Sequence, residues 1–435
     1  MTALTRSTAT IPAPAERSGG LSVPQGAALS IGAVLGTGVI ALPAFGAQIA
    51  GPASLIAWVA LVVLSVPLAT TFAALGARYP DAGGVSTYVR RAFGARPAAV
   101  VGWSFYLAVP VGAPAAGLFA GAYVEAAFGG GATTVLGTTG GLMLVVTLTN
   151  AWGVRISGRV QLVFAGLLVA LLLAATLTAL PHADLGNLTP FAPNGWWAIA
   201  PAAAVLVWGF VGWEAVTSLS GELRDPARSV KKVTGIAVVV VGVLYLAVAA
   251  TSVLVLGPAT GAAEAPLAEL LAVGLGSEVR VATAIAAVLL TVGTMNAYYA
   301  GAAKLGAALG RDGALPGWFA RGSRSGEVPR RSLFVFSGVG ALAFAVIALA
   351  GVSTRSVVLL TTGSLVLVYV LGTAAAVRLL PRGSAVRRGA AVGFICVSAL
   401  FVTIGPYVAW SLAVAALALV YDRWRRRPAD RAVSR

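Results

Sequence analysis

The sequence predicts an all-α polytopic membrane protein of about twelve transmembrane helices, and three observations carry that prediction. Of 435 residues, 58% are hydrophobic and only 10% are charged, with a mean hydropathy of +0.91. A soluble chain normally carries about a quarter charged residues. The apolar residues come in continuous runs of about 20, the length that crosses a roughly 30 Å hydrocarbon layer as helix. They do not alternate with polar residues, which argues against an outer-membrane barrel. The basic residues gather on alternate connections between the runs, which is the mark of membrane topology.

Taken in order, the spans fall at 25–49, 53–77, 98–127, 132–151, 157–180, 197–221, 231–256, 279–309, 332–351, 355–379, 388–405 and 406–422. The last two are separated only by the turn at Gly405 and Pro406. With the N-terminus inside, 28 of the 30 Lys and Arg residues lie on the cytoplasmic side, and only Arg280 and Arg355 lie outside. That places both termini in the cytoplasm of a bacterial-type inner membrane. Residues 1–24 are polar and Pro/Ala-rich without an apolar centre and read as a cytosolic tail. Residues 423–435 form a basic cytosolic tail suited to anionic lipid.

Two connections are long enough for structure of their own. Residues 78–97 read as a turn and a short amphipathic helix on the cytoplasmic surface. Residues 257–277 read as an external amphipathic helix carrying Glu264 and Glu269.

The net charge of +16 is spread over connections and tails, so no nucleic-acid face is expected. One cysteine, Cys396, and one histidine, His182, leave no metal cluster, no Cys/His catalytic pair and no intrachain disulfide. No cofactor is expected.

Chemistry concentrates in two spans. The first reads LSIGAVLGTGVIALPAFGAQ, with Gly36-Thr37-Gly38 and, five residues on, Pro43. Glycine lowers the cost of unwinding and proline removes a backbone bond, so this density predicts a break at mid-membrane. The sixth span reads LVWGFVGWEAVTSLSGEL, with Gly209, Gly212 and Glu214. Broken backbone at that depth is tolerated only around a protein-lined cavity, and paired interrupted helices point to a transport site. The offset of five spans implies an inverted repeat, 25–180 followed by 197–379, with two helices (388–422) appended.

Such breaks present backbone groups to a ligand. Amides at Thr37 and Gly38 suit a carboxylate. Carbonyls near Val34, Trp208 and Val211 suit an ammonium group, so together the breaks fit an α-amino acid. The substrate side chain is expected among Phe210, Trp213, the third span (Trp103, Phe105, Tyr106) and the eighth (Asn296, Tyr298, Tyr299). Trp208 reads either as an occluding gate or as ordinary packing.

Glu214 is the one acid placed deep in the membrane, where an ionised carboxylate is costly. It reads as a proton-coupling group or as a structural hydrogen-bonder tying the sixth span to the first. The cluster Glu222, Arg224 and Asp225 reads as solvated interface charge or as gate ion pairs with Arg78, Arg90 or Arg91.

Four segments carry a resemblance over nearly the whole chain: GAVLGTGVIALP, YPDAGGVSTYVRRAFG, WGFVGWEAVTSLSGELRDPARSV and KLGAALGRDGALPGWFA. In this order and spacing they resemble the amino-acid/polyamine/organocation (APC) superfamily. The finer character is similar to the bacterial methionine/branched-chain amino-acid exporters. The resemblance implies a LeuT-like five-plus-five inverted repeat working by alternating access. It also implies substrate carboxylate binding by the Gly36–Gly38 turn, gating by Trp208 and proton sensing by Glu214. One departure stands out: Leu168 occupies the place where some proton-coupled relatives carry lysine, which leaves Glu214 as the main titratable candidate.

The expected function is secondary transport of amino acids, neutral and apolar ones first, as exporter, exchanger or proton-coupled carrier. Its partners are then the amino-acid substrate, the lipid bilayer and a coupled proton. A cationic amino acid or polyamine is the alternative, as is a non-transporting nutrient sensor or channel of the same fold. A membrane-embedded enzyme lacks any paired catalytic residues in this sequence.

Overall fold

The computed structural model describes residues 22–79, 84–153, 158–214, 226–323 and 327–433. Among these residues the chain is helical and connected by turns, with no strand. The helices are α1 (Val23–Leu35), α2 (Leu42–Ala50), α3 (Ser54–Arg78), α4 (Val85–Phe93) and α5 (Ala95–Phe128). They continue with α6 (Gly131–Ala151), α7 (Gly158–Ala179), α8 (Ile199–Leu206), α9 (Pro226–Leu256) and α10 (Pro266–Leu275). The last five are α11 (Val279–Arg311), α12 (Arg330–Ala350), α13 (Thr354–Leu379), α14 (Ala385–Thr403) and α15 (Val408–Val433).

Ten helical stretches among the described residues are long and apolar enough to cross a membrane, the run Leu42–Arg78 counted as one. Three shorter apolar helices accompany them, Val23–Leu35, Trp196–Phe210 and Pro266–Leu275. Within the described residues the first predicted span is divided between α1 and α2, and the sixth is helical over Trp196–Phe210, its residues 215–221 lying outside the described residues. The 13 residues of α1 rise only about 20 Å, and α8 with its 3₁₀ extension is similarly short. Both stop where the chain turns glycine-rich. The predicted surface segments fold as α4 and α10, and the cluster Glu222, Arg224 and Asp225 lies outside the described residues. Among the described residues Arg90 pairs instead with Asp312, at 3.4 Å.

Helix α5 lies at the centre. Of its most apolar window 83% is buried and of α13's 72%, against 22% for α6 and α12 and 17% for α14 and α15. It packs on α6, α11, α12, α13 and α15. Small residues allow the close approach, as where Gly117 faces Thr139 and Gly121 faces the Val135 backbone. The peripheral α14 and α15 leave much of their surface for lipid. Helix α15 continues past the predicted span boundary at 422 and docks at its far end. Arg96 meets Asp422 at 3.3 Å, and Arg425 donates to the Gly313 carbonyl at 2.6 Å.

Candidate functional site

Helix α1 begins with a capping box between Ser22 and Gln25 and a proline in its first turn. It ends at Leu35, where Gly36 takes φ 35°, a conformation that favours glycine. Thr37 follows, then a 3₁₀ turn over Gly38–Ile40, and α2 starts at Leu42. Pro43 is the second residue of α2 rather than a breaker inside a helix, at a position whose N–H would have no helical partner. The amides that open the Gly38–Ile40 turn thus belong to a helix start, where donors outrun carbonyls.

The second interruption mirrors this chemistry. Helix α8 tightens into a 3₁₀ turn over Val207–Phe210, Val211 is extended, and Gly212 takes φ 130°. A Cβ on Gly212 would stand 2.7 Å from the Ala33 carbonyl oxygen, so only glycine lets this chain lie on the end of α1. Gly38 is equally confined, since a Cβ there would lie 3.0 Å from Trp208 Cδ1 and 3.2 Å from Gly209 Cα. The two interruptions are in direct contact.

Two tyrosines hold them: Tyr245 bridges both interruptions, and Tyr369 binds the second alone. Tyr245 of α9 places its hydroxyl 2.6 Å from the Gly209 carbonyl and 3.0 Å from that of Val34, sharing one proton across both breaks. Tyr369 of α13 accepts from the amides of Gly212 and Trp213, each at 3.1 Å, and donates to the Glu214 carboxylate. Glu214 also accepts from the Gly212 amide at 3.0 Å. The only hint of Tyr245 in sequence is a single hydroxyl-bearing aromatic inside the Val-rich run of α9.

A cavity of about 70 Å³ lies between the interruptions, α5, α11 and α13. At roughly 10–15 Å³ per water centre this is room for about five water-sized groups, which suits a small metabolite. Of the predicted site residues, Val34, Gly36, Thr37, Gly38, Trp208, Val211 and Tyr298 line it, and so does Tyr299. Phe210, Trp213, Asn296 and Glu214 do not. Phe210 stacks edge-on against Tyr245 and tilts against Trp58, and the Trp213 indole N–H donates to Ser65 at 3.2 Å. Asn296 accepts from Asn150 at 2.7 Å, and Glu214 accepts from the Gly212 amide and the Tyr369 hydroxyl.

The third-span aromatics also point elsewhere. Trp103 donates to the Ala314 carbonyl and Tyr106 to that of Ser332. Helix α5 instead contributes Val109, Gly112, Ala113 and Ala116, while α11 adds Thr294 and Met295 and α13 adds Thr361 and Leu365. No side chain that ionises at neutral pH lines the cavity among the described residues. Its polar groups are threonine and tyrosine hydroxyls and the main chain of the two interruptions. The described residues hold no group of three His, Cys, Asp or Glu that could bind a metal ion.

A model of the family described as amino acid permease matches residues 21–423. The chain belongs to the amino acid permease family. Its relatives include an uncharacterized amino acid permease, YecA of Bacillus subtilis, 31% identical over 82% of this chain and 84% of that protein. The L-methionine/branched-chain amino acid exporter YjeH of Escherichia coli is 37% identical over 52% of this chain and 54% of its own. The branched-chain amino acid permease BcaP of Bacillus subtilis is 25% identical over 72% of each chain. This permease is therefore a member of a transporter family and not an enzyme, and its apolar helices are those of a multi-pass membrane protein.

Proposed function

We propose that this permease is a secondary active transporter of neutral, apolar amino acids that works by alternating access. One observation carries the reading: a small cavity with no ionised side chain among the described residues that line it, placed where α1 and the chain after α8 touch. A zwitterion brings a carboxylate and an ammonium group, and the interruptions offer main-chain donors and acceptors for both. The amides at Gly36, Thr37 and Gly38 take the carboxylate, while carbonyls at Val34, Trp208 and Val211 face the ammonium group. A dication such as a polyamine would need carboxylates in the wall, and among the described residues the lining includes none. YjeH, an exporter of L-methionine and branched-chain amino acids, and BcaP, a branched-chain amino acid permease, support the apolar class.

In the architecture that goes with this reading, α1 and α2 are two halves of one span and α8 begins another, giving twelve spans in all. Residues 25–180 and 197–379 form inverted five-helix repeats, residues 388–422 add two helices, and the tails 1–24 and 423–435 lie in the cytoplasm. Glu214, held against the second interruption, is the proton-coupling group. Trp208 is the wall that closes over the substrate.

Counterflow in proteoliposomes tests the reading. Internal unlabelled L-leucine or L-methionine should drive saturable accumulation of the labelled amino acid, while lysine and putrescine should not. Absence of counterflow with all twenty amino acids, together with no ligand-induced thermal stabilisation, would refute it.

A further inference from the structure

Trp208 crosses the cavity wall between two glycines. One end of its indole, Cδ1, lies 3.0 Å from where a Cβ of Gly38 would stand, beside the proposed head-group turn. The opposite corner of the ring, Cη2, lies 2.8 Å from the corresponding point on Gly112 of α5. The edge of Phe119 packs against the same ring, with centroids 6.5 Å apart. An indole is rigid, so a residue at either end decides where the whole ring stands.

Gly112 meets a third element. A Cβ there would lie 2.8 Å from Thr361 Cγ2 and 3.1 Å from its hydroxyl oxygen. That hydroxyl donates to the Val357 carbonyl at 3.0 Å, one turn back in α13, which holds the threonine methyl toward α5. Gly112 is thus the point where α5, the Trp208 ring tip and α13 converge. Separations under 3.0 Å are not tolerated by real side chains, so a methyl at 112 must displace the ring, the threonine or both. Phe119 backs the ring, and the open side is the cavity that Trp208 itself lines.

We propose that Gly112 is a specificity-determining residue, the socket that seats Trp208 and thereby sets the largest substrate side chain the cavity accepts. This rests on the amino-acid reading of the same site. Gly112 makes no contact of its own with the head-group turn, so its effect should scale with the size of the substrate side chain. A general loss of binding would instead mark a structural role.

The test compares L-alanine, L-leucine and L-phenylalanine in proteoliposome counterflow, with folding checked by gel filtration and thermal denaturation. Gly112→Ala should raise the KM for leucine relative to alanine by at least about tenfold, the scale for one methylene in a packed pocket. Adding Thr361→Ser, which removes Cγ2 but keeps the hydroxyl, should bring that ratio back toward wild type. Thr361→Ser alone should lower the KM for phenylalanine relative to leucine, and it supplies the test if Gly112→Ala fails to fold. An unchanged ratio, or an equal loss for all three amino acids, overturns the socket. A wild-type protein that shows no counterflow with any amino acid overturns the transport reading itself, which separates the two failures.

Discussion

Tyr245→Phe isolates one hydroxyl that joins both interruptions. The ring packs edge-on against Trp58 and Phe210, with centroids 5.3 and 4.9 Å away, and phenylalanine keeps those carbon contacts. What disappears is the donor to Gly209 and Val34. Tyr245 is fully buried, and no bulk water replaces its proton at this depth. A buried carbonyl stripped of its partner costs about 1–3 kcal/mol, whereas hydrogen bonds inside membrane bundles average about 0.6 kcal/mol with a maximum near 1.7. The stronger contact, at 2.6 Å, sets the expectation at about 1–2 kcal/mol, or roughly a tenfold change in an equilibrium. Two measurements read it. The apparent melting temperature of the purified variant should fall, and the ligand concentration needed for stabilisation should rise about tenfold, because the interruptions lose their common tie. Wild-type melting together with wild-type affinity would mean that the carbonyls need no such donor and that Tyr245 does not tie the two interruptions.

Three further outcomes are expected. Glu214→Gln keeps an acceptor for Gly212 and Tyr369 but removes the titratable proton, so transport should lose its pH dependence while affinity stays close to wild type; an unaltered pH profile would sink the coupling role. Burial pushes the Glu269 carboxyl of α10 up while nearby Arg280 pulls it down. The folded protein then holds this proton more tightly than the unfolded chain. Its contribution to stability is therefore present at low pH and declines as pH rises from the ordinary carboxylate value through the raised one. Thermal scans should show that decline, and Glu269→Gln should flatten it. Gly313 has φ 76°, and Arg425 Nη1 fills the space a side chain would take. Gly313→Ala should lower stability by about 1–2 kcal/mol from the left-handed conformation alone; a melting temperature equal to wild type would remove that docking contact from the account.

Much of the site was legible because lipid enforces local rules. A chain in hydrocarbon keeps its backbone bonds unless a cavity replaces them, so Gly36-Thr37-Gly38 and Gly209 with Gly212 announce their interruptions without reference to any neighbour. The aromatics of α5 show where such reasoning stops. Tyr106 lies three residues before Val109 and shares its face, yet it packs on Ser332 and Phe336 instead of the cavity. The face was readable but the depth was not, because depth along a helix is set by the partners it slides against. Val109, Gly112, Ala113 and Ala116 carry no chemical signature of a wall, since small apolar residues serve packing and pockets alike.

The sequence by itself determined the membrane class, the order of the apolar spans and the glycine-rich segments Gly36–Gly38 and Gly209–Gly212, near which α1 and α8 end. Each follows from hydropathy or backbone geometry within one span. Only the tertiary structure decided that Tyr245 and Tyr369 hold those breaks, that Glu214 faces Tyr369 rather than the cavity, and that Gly112 meets Trp208. These are choices of partner across distances of dozens to hundreds of residues, and they depend on how each helix is rotated and set in depth within the bundle.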